Sequence, residues 1–306
     1  MKASIKQFVI IAAGLISVLA PFGTHGAEEL KFRHIRSLYS DGQDLALKHP
    51  EGVACGENSE LTVADSGNYR LLRYTFGGPD TEPEIAAIKV PQLIYPVRMQ
   101  TNSKNEIFVL DGKQRRIVRL SAQGKFVGYI DPPGIPAAAI YAPISFQIDQ
   151  QDNIYILDLY SERLIVLNPQ GKPLKNIPFP PSAGFISDLT VDTSGNILLL
   201  DSVNARVFLK AGNSAGFAAL TESLKAYMRF PTNLTTDQSG RIYLVDRNGG
   251  QIIILARDGS FQGRLSAKGW KEGLLNHPSQ ICINGRGEII IADTSNNRVQ
   301  VFKEIQ

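Results

Sequence analysis

Six aspartates, Asp65, Asp111, Asp158, Asp201, Asp246 and Asp293, recur along the chain at intervals of 43 to 47 residues. Five positions after them stand Arg70, Arg116, Arg163, Arg206, then Gln251 as the one departure, then Arg298. Fifteen positions before them stand Pro50, Pro96 and Pro143, then Ile186 as the departure, then Pro231 and Pro278. Three columns in register over six units mean six copies of one structural unit. Its form is clearest from His277 to Phe302, where three short apolar runs are separated by turn clusters at Asn284–Gly287 and Thr294–Asn297. That is an antiparallel meander too short to close a core alone, so its copies must stack. A repeat of this length with four strands' worth of chain predicts an all-β, six-bladed β-propeller of four-stranded antiparallel blades.

The residues His277-Pro278, the run into Ala292-Asp293, and Asn296-Asn297-Arg298-Val299-Gln300-Val301-Phe302 resemble the NHL-repeat family. His49 to Tyr74 matches the same pattern, and the middle units match it more loosely. The resemblance covers roughly residues 45 to 303. It implies the propeller fold and leaves function open, because such propellers host enzymes, protein-binding modules and RNA-binding modules.

Ahead of the repeats, Lys2 and Lys6 precede an apolar run from Phe8 to Ala20, followed by small residues up to Ala27. The run is shorter than a membrane span and fits a secretory leader, with cleavage expected after Gly26 or Ala27. Residues 1–26 are therefore read as a signal peptide and 27–306 as a single propeller, periplasmic or secreted from a bacterium. No later stretch is apolar for long enough to span a membrane. Removing Lys2 and Lys6 takes the formal charge from +3 to +1. That balance offers no electrostatic footprint for nucleic acid. The chain stops just after the third strand of the sixth unit, and Phe32, Ile35 and Leu38 mark a spare strand near its start. The N-terminal strand is expected to join the last blade and close the ring, since an unclosed ring would expose a sheet edge.

Cys55 and Cys282 fall on the innermost strands of blades 1 and 6, neighbours across the closure. Exported proteins favour bridging, and the two positions have the opposite parity that facing blades require. Packed sheets lie about 10 Å apart, however, while bridged Cα atoms approach within about 7 Å. The spacing argument favours two buried free thiols over a disulfide.

The aspartate and arginine columns are expected to be structural, each carboxylate accepting N–H bonds in its hairpin with the arginine as a brace. Function should sit where the repeats differ. Three past the proline, the inner strands read Val53, Met99, Phe146, Leu189, Leu234 and Ile281, which is core. Two past it they read Gly52, Arg98, Ser145, Asp188, Asn233 and Gln280. Four past it they read Ala54, Gln100, Gln147, Thr190, Thr235 and Cys282. A ring of unlike polar groups (Arg98, Ser145, Asp188, Asn233, Gln280) at the channel mouth needs partners, either ordered water or a small polar ligand. A sharper variant places calcium on Glu51, Asp188 and Asn233. It is similar in residue type to the oxygen-ligand trio of gluconolactonase-like propellers, which carry out metal-assisted hydrolysis. With only His34, His49 and His277 after the leader, no histidine metal site is spelled out, which counts against the amide-lyase branch of NHL enzymes.

Long connections between blades, Gly77–Pro96, Gly128–Pro143, Ile177–Ile186 and Lys210–Pro231, lie on the same side as the aspartate hairpins. A short helix is expected at Thr221–Tyr227. Tyr141, Phe179, Phe185, Tyr227 and Trp270, with Ile135 and Ile140, give this side its apolar content, to be divided between local loop cores and a docking surface. The sequence thus points to an exported, non-catalytic binding or scaffold propeller without a cofactor, whose partner is an unidentified exported or envelope protein. The alternative is a calcium-assisted hydrolase or lyase at the channel mouth.

Overall fold

The structure, a computed structural model, describes residues 30–56, 59–78, 81–133 and 141–305. The expected leader over residues 1–26 lies outside these, as do Ile135 and Ile140. The described residues form six four-stranded antiparallel sheets. The inner strands are Gly52–Cys55, Pro96–Thr101, Pro143–Ile148, Ile186–Val191, Pro231–Thr236 and Ile281–Ile283 in blades 1 to 6. Each blade's second strand ends on its repeat aspartate, as in Ile107–Asp111 and Ile197–Asp201.

The second strands read as unbroken apolar runs rather than alternating ones because both of their faces are covered. Ile197–Asp201 is buried at every position, as is Ile242–Asp246. Six hydrophobic cores result, each shared by two neighbouring blades. Blade 2 gives Val109 and Val118 to the core it shares with blade 1, and Phe108 and Ile117 to the one shared with blade 3. No blade owns a core, so none is stable alone.

The N-terminal strand Lys31–Leu38 pairs with Arg298–Ile305, from Lys31 opposite Ile305 to Leu38 opposite Val299. It is the outermost strand of blade 6 and closes the ring as expected. Leu38 packs into the core that blades 1 and 6 share, beside Val53, Val63, Ile290 and Val301. The same seam holds a disulfide. Cys55 and Cys282 are bridged with Cα atoms 5.8 Å apart, which overturns the free-thiol reading. The 10 Å spacing belongs to the middle of packed sheets. Inner strands converge on the axis, and there the distance falls within bridging range.

The segment from Thr221 to Tyr227 is a series of bends and a turn, not the expected helix. Leu224 and Met228 bury their side chains in the core of blades 4 and 5, and that packing fixes its path.

Candidate functional site

The aspartate hairpins come first, because they define one face of the disc. All six aspartates are fully buried. Each accepts an N–H from the connection arriving from the preceding blade, and most also bond to their own hairpin. Asp201 accepts from Gly184 and Phe185 N–H on one side and from Val203 and Asn204 N–H on the other. Asp111 does the same with Ile94 and Tyr95, and with Lys113 and Gln114. Burial pushes Asp201 up, but these N–H donors outweigh it and hold the carboxyl below the ordinary aspartate range. The residue four past the aspartate is left-handed in every blade: Tyr69, Arg115, Glu162, Ala205, Gly250 and Asn297. A non-glycine residue there costs energy, which the buried carboxylate's bonds offset.

The arginine brace holds in blades 1, 3 and 6, where Arg70, Arg163 and Arg298 reach their own aspartates at 2.8, 3.3 and 2.7 Å. In blade 5, Gln251 does the same at 3.0 Å. Blade 2 departs, because Arg116 pairs with Asp131 instead. In blade 4 the buried Arg206 Nε has no hydrogen-bond partner among the described residues.

The polar column on the inner strands faces the axis, and a backbone feature sets its aim. In blades 2 to 5 the register of the inner strand slips between the first residue and the third, as between Pro96 and Arg98. Such a bulge swings the following side chain out of the sheet's regular alternation. Arg98, Ser145, Asp188 and Asn233 are thereby brought together with Gln280 of blade 6, and the five bond mainly to one another and to backbone. Asp188, 2% exposed, accepts from Ser145 Oγ, from Asn233 Nδ2 at 2.5 Å and from Leu234 N–H at 2.8 Å. Asn233 Oδ1 accepts from Ile281 N–H at 3.0 Å. Gln280 Oε1 accepts from Val53 and Met99 N–H, and its Nε2 donates to the Met99 carbonyl. Arg98 crosses the axis to donate to the carbonyls of Ser279 and Thr232 at 2.9 and 2.8 Å.

These bonds have a common purpose. An inner strand is the edge of its sheet, so the N–H groups of Val53, Met99, Leu234 and Ile281 have no ladder partner and still must be satisfied. The polar column supplies the acceptors. Desolvation raises the Asp188 carboxyl above its ordinary value, with the positive field of Arg98 and the Ser145 and Leu234 bonds opposing. Neither carboxylate oxygen of Asp188 is left unbonded. Glu51, the third member of the calcium trio, instead receives the Tyr95 hydroxyl at 2.7 Å. Among the described residues, no group of three or more His, Cys, Asp or Glu side chains could hold a metal ion.

Two features escaped the sequence reading. Hydroxyls directly after the aspartates stitch neighbouring blades: Ser66 to the Pro96 carbonyl, Ser202 to Pro231 and Thr294 to Pro50. On the opposite face, Asn102, Asp149, Asp192, Asp237 and Asn284 each accept N–H bonds two and four residues on, closing the first hairpin of their blades. All five stand nine residues before a repeat aspartate, a register that would have revealed them.

The remaining candidates lie on the hairpin face. Tyr141 is buried in the core of blades 2 and 3, so it belongs to a loop core rather than to the surface. Phe179 is half-buried against the core of blades 3 and 4. Phe185, Tyr227 and Trp270 are exposed, Trp270 at 78%. Of fifteen exposed large hydrophobic side chains among the described residues, ten lie on this face. Tyr69, Tyr160 and Val203 are on the aspartate hairpins, and Tyr39, Leu45, Ile94, Phe185, Tyr227, Phe230 and Trp270 on the connections. The other five sit on fourth strands or at the end of Arg298–Ile305.

Residues 275–302 match the family model described as NHL repeat. No curated protein matches the chain. Among solved structures, the chain is similar to virginiamycin B lyase from Staphylococcus aureus, at 13% identity and TM-score 0.64, over 90% of this chain and 100% of that one. A gluconolactonase from Xanthomonas campestris is similar at 12% identity and TM-score 0.67, over 90% of each chain. A chain of a nidogen/laminin complex is similar at 16% identity and TM-score 0.57, over 72% of this chain and 81% of that one. Identities this low speak to the fold alone. No helix among the described residues is long and apolar enough to cross a membrane.

Proposed function

This chain is an NHL-repeat six-bladed β-propeller, and from that premise we propose that it is an exported, non-catalytic docking module whose contact surface is the hairpin face. The observation that carries the reading is the one-sided distribution of exposed large apolar side chains, ten of fifteen among the described residues on that face. Apolar groups gathered on one side and interrupted by polar ones are the composition of a protein interface. The state of the axis supports the non-catalytic part. A catalytic carboxylate needs a free oxygen for substrate, water or metal, and both oxygens of Asp188 are engaged in holding blades 3, 4 and 5 together. Export is supported by the leader-like start of the sequence and by the Cys55–Cys282 bridge, a bond at home in oxidising compartments.

The test is site-specific photo-crosslinking in the native cell envelope. A photoreactive residue in place of Trp270 should give a discrete adduct with an envelope protein. The same residue in place of Leu174, exposed on the fourth strand of blade 3, should give none. Equal labelling from both positions, or from neither, overturns the docking face.

A further inference from the structure

On the hairpin face at blade 5, the connection Lys225–Arg229, the hairpin at Gly249 and Gln251, the outer-strand residue Arg264 and Lys268 enclose a groove of about 390 Å³. Four cations line it: Lys225, Arg229, Arg264 and Lys268. No acidic side chain does. Two other concavities among the described residues differ in this respect, with Glu60 and Glu288 in one and Asp149 and Asp237 in the other. None of the four cations has a carboxylate within ion-pair distance among the described residues. Among the described residues, their one side-chain hydrogen bond is a 3.5 Å contact from Arg264 Nη1 to Gln251 Oε1. All four are exposed.

We propose that this groove binds an acidic peptide segment of the docked partner. The proposal rests on the docking-face reading and adds the chemistry of recognition to it. Like charges gathered in one concavity repel each other, and this cost falls when a segment of opposite sign is seated among them. Arginine supplies a planar donor fork matched to a carboxylate, and two of the four are arginines. Apolar contact is at hand: Tyr227, which lines the groove, stacks on Phe261 with ring centroids 4.3 Å apart, and Trp270 follows Lys268 by two residues in the sequence. A short peptide with carboxylates and an apolar residue or two would use both features. A membrane would ask for a flat or convex basic surface, and this one is concave. A nucleic acid would ask for a basic track over several blades, whereas here the cluster is confined to one.

The probe is a fluorescein-labelled hexaglutamate peptide, followed by anisotropy, with intrinsic fluorescence of the single tryptophan, Trp270, as a second signal. Binding is expected at low salt and should weaken steeply toward about 0.5 M salt, where screening is nearly complete over groove dimensions. Charge reversal by Arg229→Glu with Arg264→Glu should weaken binding at least about tenfold. Lys225→Glu with Lys268→Glu should do the same. Lys172→Glu with Lys175→Glu on blade 3 should leave binding unchanged, and circular dichroism should show every variant folded. Retention of hexaglutamate by both reversed pairs overturns the proposal. So does binding of a hexauridylate RNA or of phosphatidylglycerol vesicles in its place. If the Trp270 crosslink survives in the reversed variants, the docking face stands and the acidic-segment assignment falls. If that crosslink never forms, the docking face itself fails.

Discussion

Gln280 of the last blade brackets Met99 of the second, accepting its N–H at 3.1 Å and donating to its carbonyl at 2.9 Å. To get there it passes in front of blade 1, taking the Val53 N–H on the way. Gly52 occupies that blade's place in the polar column, and a Cβ on it would meet Met99 Cγ and Ala64 Cβ at 3.0 Å. The close approach of Met99 and Ala64 requires a glycine there, so blade 1 has no polar side chain in the column and its Val53 N–H is met by Gln280. Gln280→Leu should cost roughly 2–4 kcal/mol, because it strands buried N–H and C=O groups that nothing else reaches. Urea denaturation measures it. A loss below about 1 kcal/mol would mean that water caps Met99 equally well.

Asp188 and Asp201 lie on the same blade and should respond to pH in opposite senses. The folded-state value of Asp188 is raised, so its stabilising effect is complete below the ordinary 3.8 and declines as pH rises through the folded value. That of Asp201 is lowered, so its contribution is present above 3.8 and is lost as pH falls toward the folded value. Asp188→Asn keeps an acceptor for Asn233 and Leu234 and offers a donor to Ser145. It should remain folded and gain stability relative to wild type as pH rises above 4 or so. Asp201→Asn should lose stability at neutral pH and flatten the acid limb of the profile. Thermal melts across pH separate the two, and parallel profiles for both variants would contradict the assignment.

Much of the fold was legible because a repeat shows itself many times. The aspartate, proline and arginine columns set the blade count and boundaries, and the spare strand at Lys31–Leu38 followed from counting strands in blade 6. Side-chain roles were less legible where they depend on contacts between blades. Nothing local to Arg116 shows that it will choose Asp131 over Asp111, since that acid lies beyond the outer strand. Tyr141 reads as surface from its place in a long connection, and it is buried because the loop folds back onto the core of blades 2 and 3. The polar column looked like a ligand ring because its members are unlike. They are unlike because each caps a different inner-edge geometry, which only the bulges and the gap at Gly52 define.

Addition of Ca²⁺ or of a chelator should leave the melting temperature unchanged within about 1 °C, since a bound ion stabilises by mass action and the Asp188 oxygens are occupied by protein donors. A fall on chelation that calcium reverses would falsify the non-catalytic reading and revive a metal-assisted reaction at the axis.

The ring is closed twice at one seam, by the pairing of Lys31–Leu38 with Arg298–Ile305 and by the Cys55–Cys282 bridge. The bridge spans 227 residues of sequence, so in the chain-entropy account it removes much of the freedom of the unfolded chain. Replacing both cysteines with serine should cost about 2–4 kcal/mol and leave the propeller folded, because the outer strand still holds the ends together. Deleting residues 31–38 in the oxidised protein should also leave a folded ring, at the cost of an open edge along Arg298–Ile305 and of the Leu38 packing. The two closures constrain the same pair of blades, so each hides part of the other's worth. Removing both should therefore destabilise by more than the sum of the single losses, as expected of coupled sites. Denaturation of the four proteins, with and without reductant, reads the coupling. Simple additivity would show that strand and bridge act on blades 1 and 6 independently.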